Sequence, residues 1–329
     1  MPPAAGRRRT VLAAAFALLL VLPPLAEAAG EPFLVTLASR VLIYGLAALS
    51  LDLLVGYGGM VSFGHAAFLG VGAYVVGILG LHSFEGSALP LFGGTGSDLA
   101  LIQWPLAMLV AALVALVVGA LSLRTRGVAF IMITLAFAQM LYHLAISVPA
   151  YGGQDGLNLW RRSVMPGLDL HDDTTFYYVV LTILLAVLLL ARRLVDSRFG
   201  MVLRGCKQNE QRLLSLGVPT YRYKLAAFTI AGAIAGLAGA LLANQTEFVG
   251  PGLMQWTRSG LLLVFVILGG LGTLYGPIAG AAVFLVLEDT LSGWTEHWML
   301  VLGPILVFVV LFARRGIYGW LAGAEAKDG

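Results

Sequence analysis

Polar side chains that could take part in chemistry are few in this sequence, and they stand in strongly apolar surroundings. Gln139 and His143 are four residues apart, so a helix would place both on one face. That face fits a path for a polar solute, and it fits hydrogen bonding between neighbouring helices equally well. His65 follows a run of glycines, where we expect it to pack or cap a tight helix crossing, and it is also a candidate residue of the path. Asp155, in Gly152-Gly-Gln-Asp-Gly156, predicts a tight turn that contributes to a gate.

These residue types do not assemble into an enzyme site. The five histidines have no paired ligand spacing, and Cys206 is the only cysteine, so neither a metal site nor an intrachain disulfide is predicted. The sequence has no Gly-x-x-x-x-Gly-Lys-[Ser/Thr] phosphate loop, and no Gly-x-Ser-x-Gly, His-Glu-x-x-His or Ser-x-x-Lys motif. We therefore expect no catalysis, no cofactor and no bound metal.

Composition and charge pattern predict a protein embedded in lipid. Of the 329 residues, 59% are hydrophobic and 11% are charged, whereas soluble domains carry roughly a quarter of their residues as charge. Most of the 20 basic residues fall in four stretches, at 7–9, 124–126, 192–224 and 314–327, separated by long apolar segments. Basic residues collect on the cytoplasmic side of a membrane, so both termini and the 195–222 loop are predicted to be cytoplasmic. The pattern lacks the interleaved basic and aromatic residues of a nucleic-acid surface.

The sequence therefore predicts an all-α, multi-pass membrane protein with about ten transmembrane helices. Each apolar segment approaches the roughly 20 residues that a bilayer requires. The predicted domains are an N-terminal helix at 1–32, a transmembrane domain at 33–313 that contains the cytoplasmic coupling loop 195–222, and a cytoplasmic tail at 314–329. The predicted spans are 11–29, 33–55, 61–82, 101–123, 127–147, 175–194, 223–243, 258–275, 277–294 and 298–313.

Some details of this pattern have two interpretations. Arg7–Arg9, an apolar run and Ala26-Glu27-Ala28 describe a cleaved signal peptide as well as a retained helix, and we favour the retained helix. Spans two to five and seven to ten would form inverted halves, since an offset of five spans reverses direction. Gly276-Pro277 predicts a helix break. Only Arg161 and Arg162 depart from the charge pattern, among acids in an outer loop.

The basic loop 195–222 carries signals for helix formation and termination. Ser197 is suited to be an N-cap, and Gly217 shortly before Pro219 is a stop signal. The intervening leucines offer apolar anchors. One or two short helices against the membrane fit this sequence, and a solvated loop whose arginines only set the topology fits it too.

Five motifs occur in order between about residues 56 and 281. Together they resemble the permease family of branched-chain amino-acid ABC importers. The motifs are Gly59-Met-Val-Ser-Phe-Gly-His-Ala-Ala-Phe-Leu-Gly70; Thr134-Leu-Ala-Phe-Ala-Gln139; Gly152-Gly-Gln-Asp-Gly-Leu157; Ser197-Arg-Phe-Gly200 with Asn209-Glu210, Leu216-Gly217-Val218, Arg222-Tyr-Lys-Leu-Ala-Ala-Phe228 and Ala235-Gly-Leu-Ala-Gly-Ala240; and Leu268-Gly-Gly-Leu-Gly-Thr-Leu-Tyr-Gly-Pro277.

The resemblance implies an importer subunit of the inner membrane that has no ATPase of its own. Its partners would be separate ATP-binding cassette ATPase subunits, a second permease subunit, a periplasmic or lipid-anchored solute-binding protein and membrane lipid, with no nucleic acid. The 197–217 segment would dock on an ATPase, and we expect Arg204, Glu210, Leu216 and Gly217 to form that contact. The cargo would be a branched-chain amino acid, a related amino acid or a small amide.

Two other classes of membrane protein compete with this interpretation. An ion-coupled secondary transporter of small solutes would require coupling-ion ligands near the bilayer centre, where acidic residues are scarce. An intramembrane enzyme would require a nucleophile or metal motif, and none is present. Neither class predicts the basic inner loop.

Overall fold

The fold is a bundle of α-helices. The computed structural model describes residues 4–88, 95–294, 297, 299–301, 303, 304, 316, 317 and 319, with side chains from residue 13 onward. A π-helical turn, Leu53–Tyr57, extends α2, and a two-residue antiparallel pair joins Leu157–Asn158 to Phe248–Val249. The α-helices are α1 (Ala4–Ala29), α2 (Phe33–Asp52), α3 (His65–Glu85), α4 (Ala100–Ser122), α5 (Val128–Ile146), α6 (Asp173–Asp196), α7 (Arg198–Ser215), α8 (Thr220–Thr246), α9 (Trp256–Gly269) and α10 (Gly276–Trp294).

Several of these helices are able to cross a membrane. Among the described residues, six helices have the length and hydropathy of a span, namely α2 with its π turn, α3, α4, α5, α6 and α8. The all-α membrane fold is thus confirmed, but the prediction of about ten spans and of an inverted repeat is not. α9 has only 14 residues, about 21 Å at 1.5 Å per residue, which is short of a hydrocarbon core of roughly 30 Å. The predicted span 298–313 and tail 314–329 lie largely outside the described residues.

The third and eighth predicted spans have the wrong limits, and glycine explains the error in the eighth. The third span begins at His65 instead of residue 61. The eighth ends at Gly269 instead of residue 275, because Gly270 and Gly272 have φ of 114° and 72°, outside the helical region. Pro277 then lies in the first turn of α10, where its missing N–H costs no hydrogen bond. The break predicted near Gly276-Pro277 is confirmed.

Two consecutive prolines explain how α1 is attached to α6. Pro23 and Pro24 have no N–H group, so the carbonyls four residues earlier lose their helical partners. The hydroxyls of Tyr177 and Tyr178 donate to those carbonyls, Leu19 O at 2.7 Å and Leu20 O at 3.1 Å. The helix predicted for residues 11–29 is therefore held against α6 by hydrogen bonds to the carbonyl groups that its own prolines leave without helical partners.

Small residues bring the central helices together. α8 packs against α2, α3 and α4. A Cβ on Gly72 of α3 would overlap the carbonyl oxygen of Gly236, and on the other side Gly236 lies against Ala111 of α4. Side chains of this size let the backbones approach closely, as in other membrane bundles.

The Gly72→Ala substitution is expected to destabilise the protein by about 2 kcal/mol or more, because the methyl group would overlap a rigid backbone carbonyl. The matched control is Gly80→Ala, in the same helix, where an added Cβ meets nothing within 4 Å. Thermal unfolding in detergent should show a lower midpoint for Gly72→Ala only. Equal midpoints for the two variants would contradict the close packing of α3 on α8.

Acidic partners surround the two arginines that depart from the charge pattern. Arg161 pairs with Asp98. Arg162 is buried, and it pairs with Asp173 at 2.7 Å and with Glu247 at 3.3 Å. A buried guanidinium requires such partners. Acidic partners thus neutralise both arginines locally.

Candidate functional site

The predicted coupling segment folds as two short helices in sequence. Within α7 the backbone of Asn209 is non-helical, with φ −156° and ψ 94°. The side-chain oxygen of Asn209 accepts a hydrogen bond from the N–H of Arg212 at 3.0 Å, so Asn209 is the N-cap of the second helix. Ser197 precedes the first helix as predicted, but its hydroxyl donates to Leu194 O at 2.6 Å and makes no capping bond.

The second helix ends at the predicted stop signal. Gly217 has φ 78°, its N–H donates to Leu214 O, and the Val218 N–H donates to Leu213 O, both at 3.0 Å. These two bonds define a Schellman ending. Leu216 stands beside the turn with 72% of its surface exposed. The ending presents an apolar side chain to the surroundings.

Glu210 connects three parts of the molecule. Its carboxylate contacts Lys224 Nζ at 2.9 Å, the Thr220 hydroxyl at 3.2 Å and Arg126 Nε at 3.5 Å. These partners belong to the start of α8 and to the turn between α4 and α5. Burial alone would raise the pKa of Glu210, but the hydrogen bond and charge of Lys224, with help from Arg126 and Thr220, lower it below its usual value.

This arrangement makes a part of the stability depend on pH. A carboxyl whose pKa is lower in the folded state stabilises the fold above its unfolded pKa of about 4.5, and that contribution is lost as pH falls through the folded value. We expect the difference in thermal midpoint between wild type and Glu210→Gln to shrink between pH 6 and pH 3.5. With Lys224→Gln, which removes the main cause of the lowered pKa of Glu210, the fall in thermal midpoint over this pH range should be smaller than in wild type. A difference that stays constant over this range would contradict the ion cluster.

A second connection joins the first helix of α7 to the end of α2. Lys207 Nζ donates to the carbonyl oxygen of Gly56, in the π-helical turn, at 2.8 Å. One turn earlier, the buried Asp52 accepts a hydrogen bond from the N–H of Gly272 at 2.8 Å. Gly272 lies in the break between α9 and α10. Contacts therefore run without interruption from α7 through α2 to the segment that leads into α10.

Arg204 and the buried face of α7 hold its first helix against the bundle. The Arg204 guanidinium donates to Val195 O at 3.2 Å, at the end of α6. Leu203 and Cys206 are buried on the same helix, and burial raises the pKa of the Cys206 thiol. Of the four residues predicted for this surface, Arg204 and Glu210 thus bind the protein itself, while Leu216 and Gly217 form an exposed tip.

The residues predicted to line a path have different surroundings. His65 is fully buried at the start of α3, where its Nε2 lies 2.7 Å from the Ser50 hydroxyl of α2 and its ring contacts Phe68 edge-on. These contacts favour the packing role. Gln139 is half-buried on α5 and His143 is exposed, with its ring against Tyr142.

Asp155 lies in the tight turn predicted for it. Gly152, Gly153 and Gly156 all have positive φ, and the Asp155 and Gly156 N–H groups donate to the Gly152 carbonyl at 3.0 and 3.1 Å. The Asp155 side chain is exposed. The turn leads into the β pair between Leu157–Asn158 and Phe248–Val249, so it is fixed to the end of α8.

Sequence reasoning missed the residues that complete these connections. In the sequence, Lys207 and Arg126 indicate only the membrane topology, Lys224 only belongs to a family motif, and no contact is predicted for Asp52. One signal was available for Asp52, since a carboxyl inside an apolar helix is costly and requires a partner. No local signal identifies Gly272 as the partner of Asp52, or Gly56 as the partner of Lys207.

Comparison with known proteins identifies one family over most of the chain. The profile of the family described as "Branched-chain amino acid transport system / permease component" matches residues 33–310. The high-affinity branched-chain amino acid transport system permease protein LivM of Salmonella typhimurium is 28% identical over 328 residues, covering 91% of this chain and 74% of that protein. LivM of Escherichia coli K12 is 28% identical over 315 residues, covering 87% and 71%.

Shorter similarities extend to two other permeases. The permease protein LivH of Escherichia coli K12 is 29% identical over 127 residues, covering 37% of this chain and 40% of LivH. The autoinducer 2 import system permease protein LsrC of Salmonella paratyphi B is 32% identical over 137 residues, covering 38% and 39%. No solved structure shows significant similarity. The family profile spans most of the chain, and on that ground this protein belongs to the permease components of branched-chain amino acid transport systems.

Proposed function

We propose that this chain is the transmembrane permease subunit of an ATP-binding cassette importer that moves branched-chain amino acids, or related amino acids and small amides, inward across the inner membrane. Separate ATPase subunits drive the movement. The observation that carries the proposal is the form of α7. Its buried side and ion pairs hold it to the helices of the bundle, while Leu214 and Leu216 remain 45% and 72% exposed for a partner.

The two attachments of α7 suggest how ATPase closure reaches the transmembrane helices. Force on the exposed Leu216 tip would be passed through Glu210 to the α4–α5 turn and the start of α8. Through Lys207 and Gly56 it would reach α2, and through Asp52 and Gly272 the start of α10. Helices tied in this way move as packed units, which is what alternating access requires.

Helix pairing supports the inverted repeat. α4 packs on α8 as α10 packs on α2, and α3 packs on α8 as α9 packs on α2. The pairs α3–α4 and α9–α10 correspond in the same way. If a pseudo-twofold axis relates two halves, each contact from the first half to the second has a counterpart from the second half to the first.

The remaining assignments follow from the same proposal. Both termini and α7 are cytoplasmic, and the Asp155 turn faces the solute-binding protein as part of a gate. Gln139 and His143 lie on α5, a helix with few buried residues, where they border a path shared with a second permease subunit. His65 supports the wall of that path through Ser50.

Native partners provide the test of this function. The tagged chain is purified from its own membranes in mild detergent, co-purifying proteins are identified, and the solutes held by a co-purifying binding protein are measured. We expect an ATPase with a Gly-x-x-x-x-Gly-Lys-[Ser/Thr] loop, a second permease and a binding protein that retains leucine, isoleucine or valine. Recovery of the chain without any ATPase would contradict the importer assignment, and a different solute would contradict only the substrate.

A further inference from the structure

A cavity of about 480 Å³ opens beside the coupling segment. Its walls are the Gly58–Val61 turn, the α4–α5 turn, α7 and the start of α8. Four cations line it, Arg124, Arg126, Lys207 and Lys224, together with the single carboxylate of Glu210. Glu210 neutralises one of the four cations at most, so the cavity carries an excess of positive charge.

Two helix N-termini add to this positive potential. α5 begins at Val128 and α8 at Thr220, and neither has a side-chain capping bond. Gly127, Thr220 and Tyr221, at these two starts, all line the cavity. Uncapped first-turn N–H groups and the helix dipole favour a negatively charged ligand. Cations on separate elements and two helix starts thus converge on one space.

We propose that this cavity binds the phosphate headgroup of an anionic phospholipid. Its position favours lipid over a soluble phosphate compound. The α4–α5 turn joins two membrane-spanning helices, so it lies at the level where chains leave the hydrocarbon. Exposed apolar side chains continue from it along both helices: Leu121 is 48% exposed, Val128 68% and Met132 59%. A soluble phosphate would use the cations but not this apolar surface.

Arg124 and Arg126 are the residues expected to contact the phosphate first. Both line the cavity and are exposed, and Arg124 shows no ion pair with any described residue. Arg126 already reaches Glu210 at 3.5 Å, so a lipid bound there would also touch the ion cluster that anchors α7. The inference depends on insertion in a membrane and does not depend on the proposed import function.

The test compares lipid binding by the full chain and two double variants. Wild type, Arg124→Gln/Arg126→Gln and the control Arg192→Gln/Arg193→Gln are titrated in detergent with phosphatidylglycerol or with phosphatidylcholine of the same acyl chains. The control removes two exposed cations at the end of α6, outside the cavity. Bound lipid is counted by native mass spectrometry. A cation that contacts the lipid phosphate contributes roughly fivefold to binding, so the variant that lacks two such cations should bind phosphatidylglycerol about 10- to 30-fold more weakly.

The control should stay within about twofold of wild type, and phosphatidylcholine should bind weakly to all three proteins. Equal binding of both lipids to wild type, or an equal loss in both variants, would overturn the proposal. Glycerol 3-phosphate and inorganic phosphate are added as soluble competitors of the lipid. If either displaces the lipid at comparable concentration, the ligand is a soluble phosphate and the lipid assignment fails. If the cavity variant keeps its lipid but loses a co-purifying ATPase, the cavity is a protein contact and the proposal is also overturned.

Discussion

Replacing Leu216 by Asp is expected to weaken association with the ATPase by about 30-fold or more. The side chain is 72% exposed at the tip of α7, and a residue that acts as a hot spot contributes about 2 kcal/mol or more to a protein interface. A carboxylate placed in an apolar partner groove adds a desolvation cost to that loss. The measurement is the fraction of ATPase that co-purifies with the permease at equal expression. Uptake should fall in parallel.

The conservative variant Leu216→Met separates docking from folding. Met keeps the apolar volume and should retain ATPase to within a few-fold of wild type. The thermal midpoint of Leu216→Asp should equal that of wild type, because the tip contributes little to the core. Full retention of ATPase by Leu216→Asp would show that this tip is not the docking surface.

Replacing Lys207 by Met is expected to leave the ATPase bound but to reduce uptake by about tenfold or more. The substitution removes the hydrogen bond between Lys207 Nζ and Gly56 O while keeping a side chain of similar length. Coupling free energies between sites are typically 1–3 kcal/mol, and this bond is a direct link between α7 and α2. ATP hydrolysis by the assembled complex should continue, so the ratio of solute moved to ATP hydrolysed is the quantity to measure.

The matched control is Arg193→Met, which removes a cation at the nearby end of α6 without touching Gly56. It should transport at the wild-type ratio. A wild-type ratio of solute moved to ATP hydrolysed in Lys207→Met would show that coupling does not pass through α2. The connection through Glu210 would then be the remaining route. Loss of ATPase binding in Lys207→Met would instead assign Lys207 to the docking surface.

Local sequence signals predicted much of the form of α7. Gly217 correctly predicted the end of α7, because the residue after a helix often has a left-handed conformation, which glycine adopts readily. The hydrogen bond from the Val218 N–H to Leu213 O completes that ending. The kink at Asn209 was not predicted, although Asn competes with helical hydrogen bonds and suits an N-cap. Ser197 was placed correctly, but whether its hydroxyl caps depends on a rotamer that sequence does not reveal.

Long-range contacts explain what the sequence could not predict. Hydropathy merged α9 with the following turn, because Gly270–Tyr275 is as apolar as a helix but has positive φ at two glycines. The contacts of Lys207 with Gly56 and of Asp52 with Gly272 depend on how α7, α2 and the α9–α10 break meet in space. Composition alone predicts a membrane protein. Which cations form hydrogen bonds or ion pairs between helices depends on tertiary packing, which the sequence does not reveal.

Reconstitution tests the central claim most directly. Liposomes that contain this chain with its co-purified partners, ATP enclosed and binding protein outside, should accumulate labelled leucine, isoleucine or valine only while ATP is hydrolysed. Liposomes that contain the permease without the ATPase should accumulate none. Accumulation without an ATPase, driven by an ion gradient, would contradict the account and favour a secondary transporter.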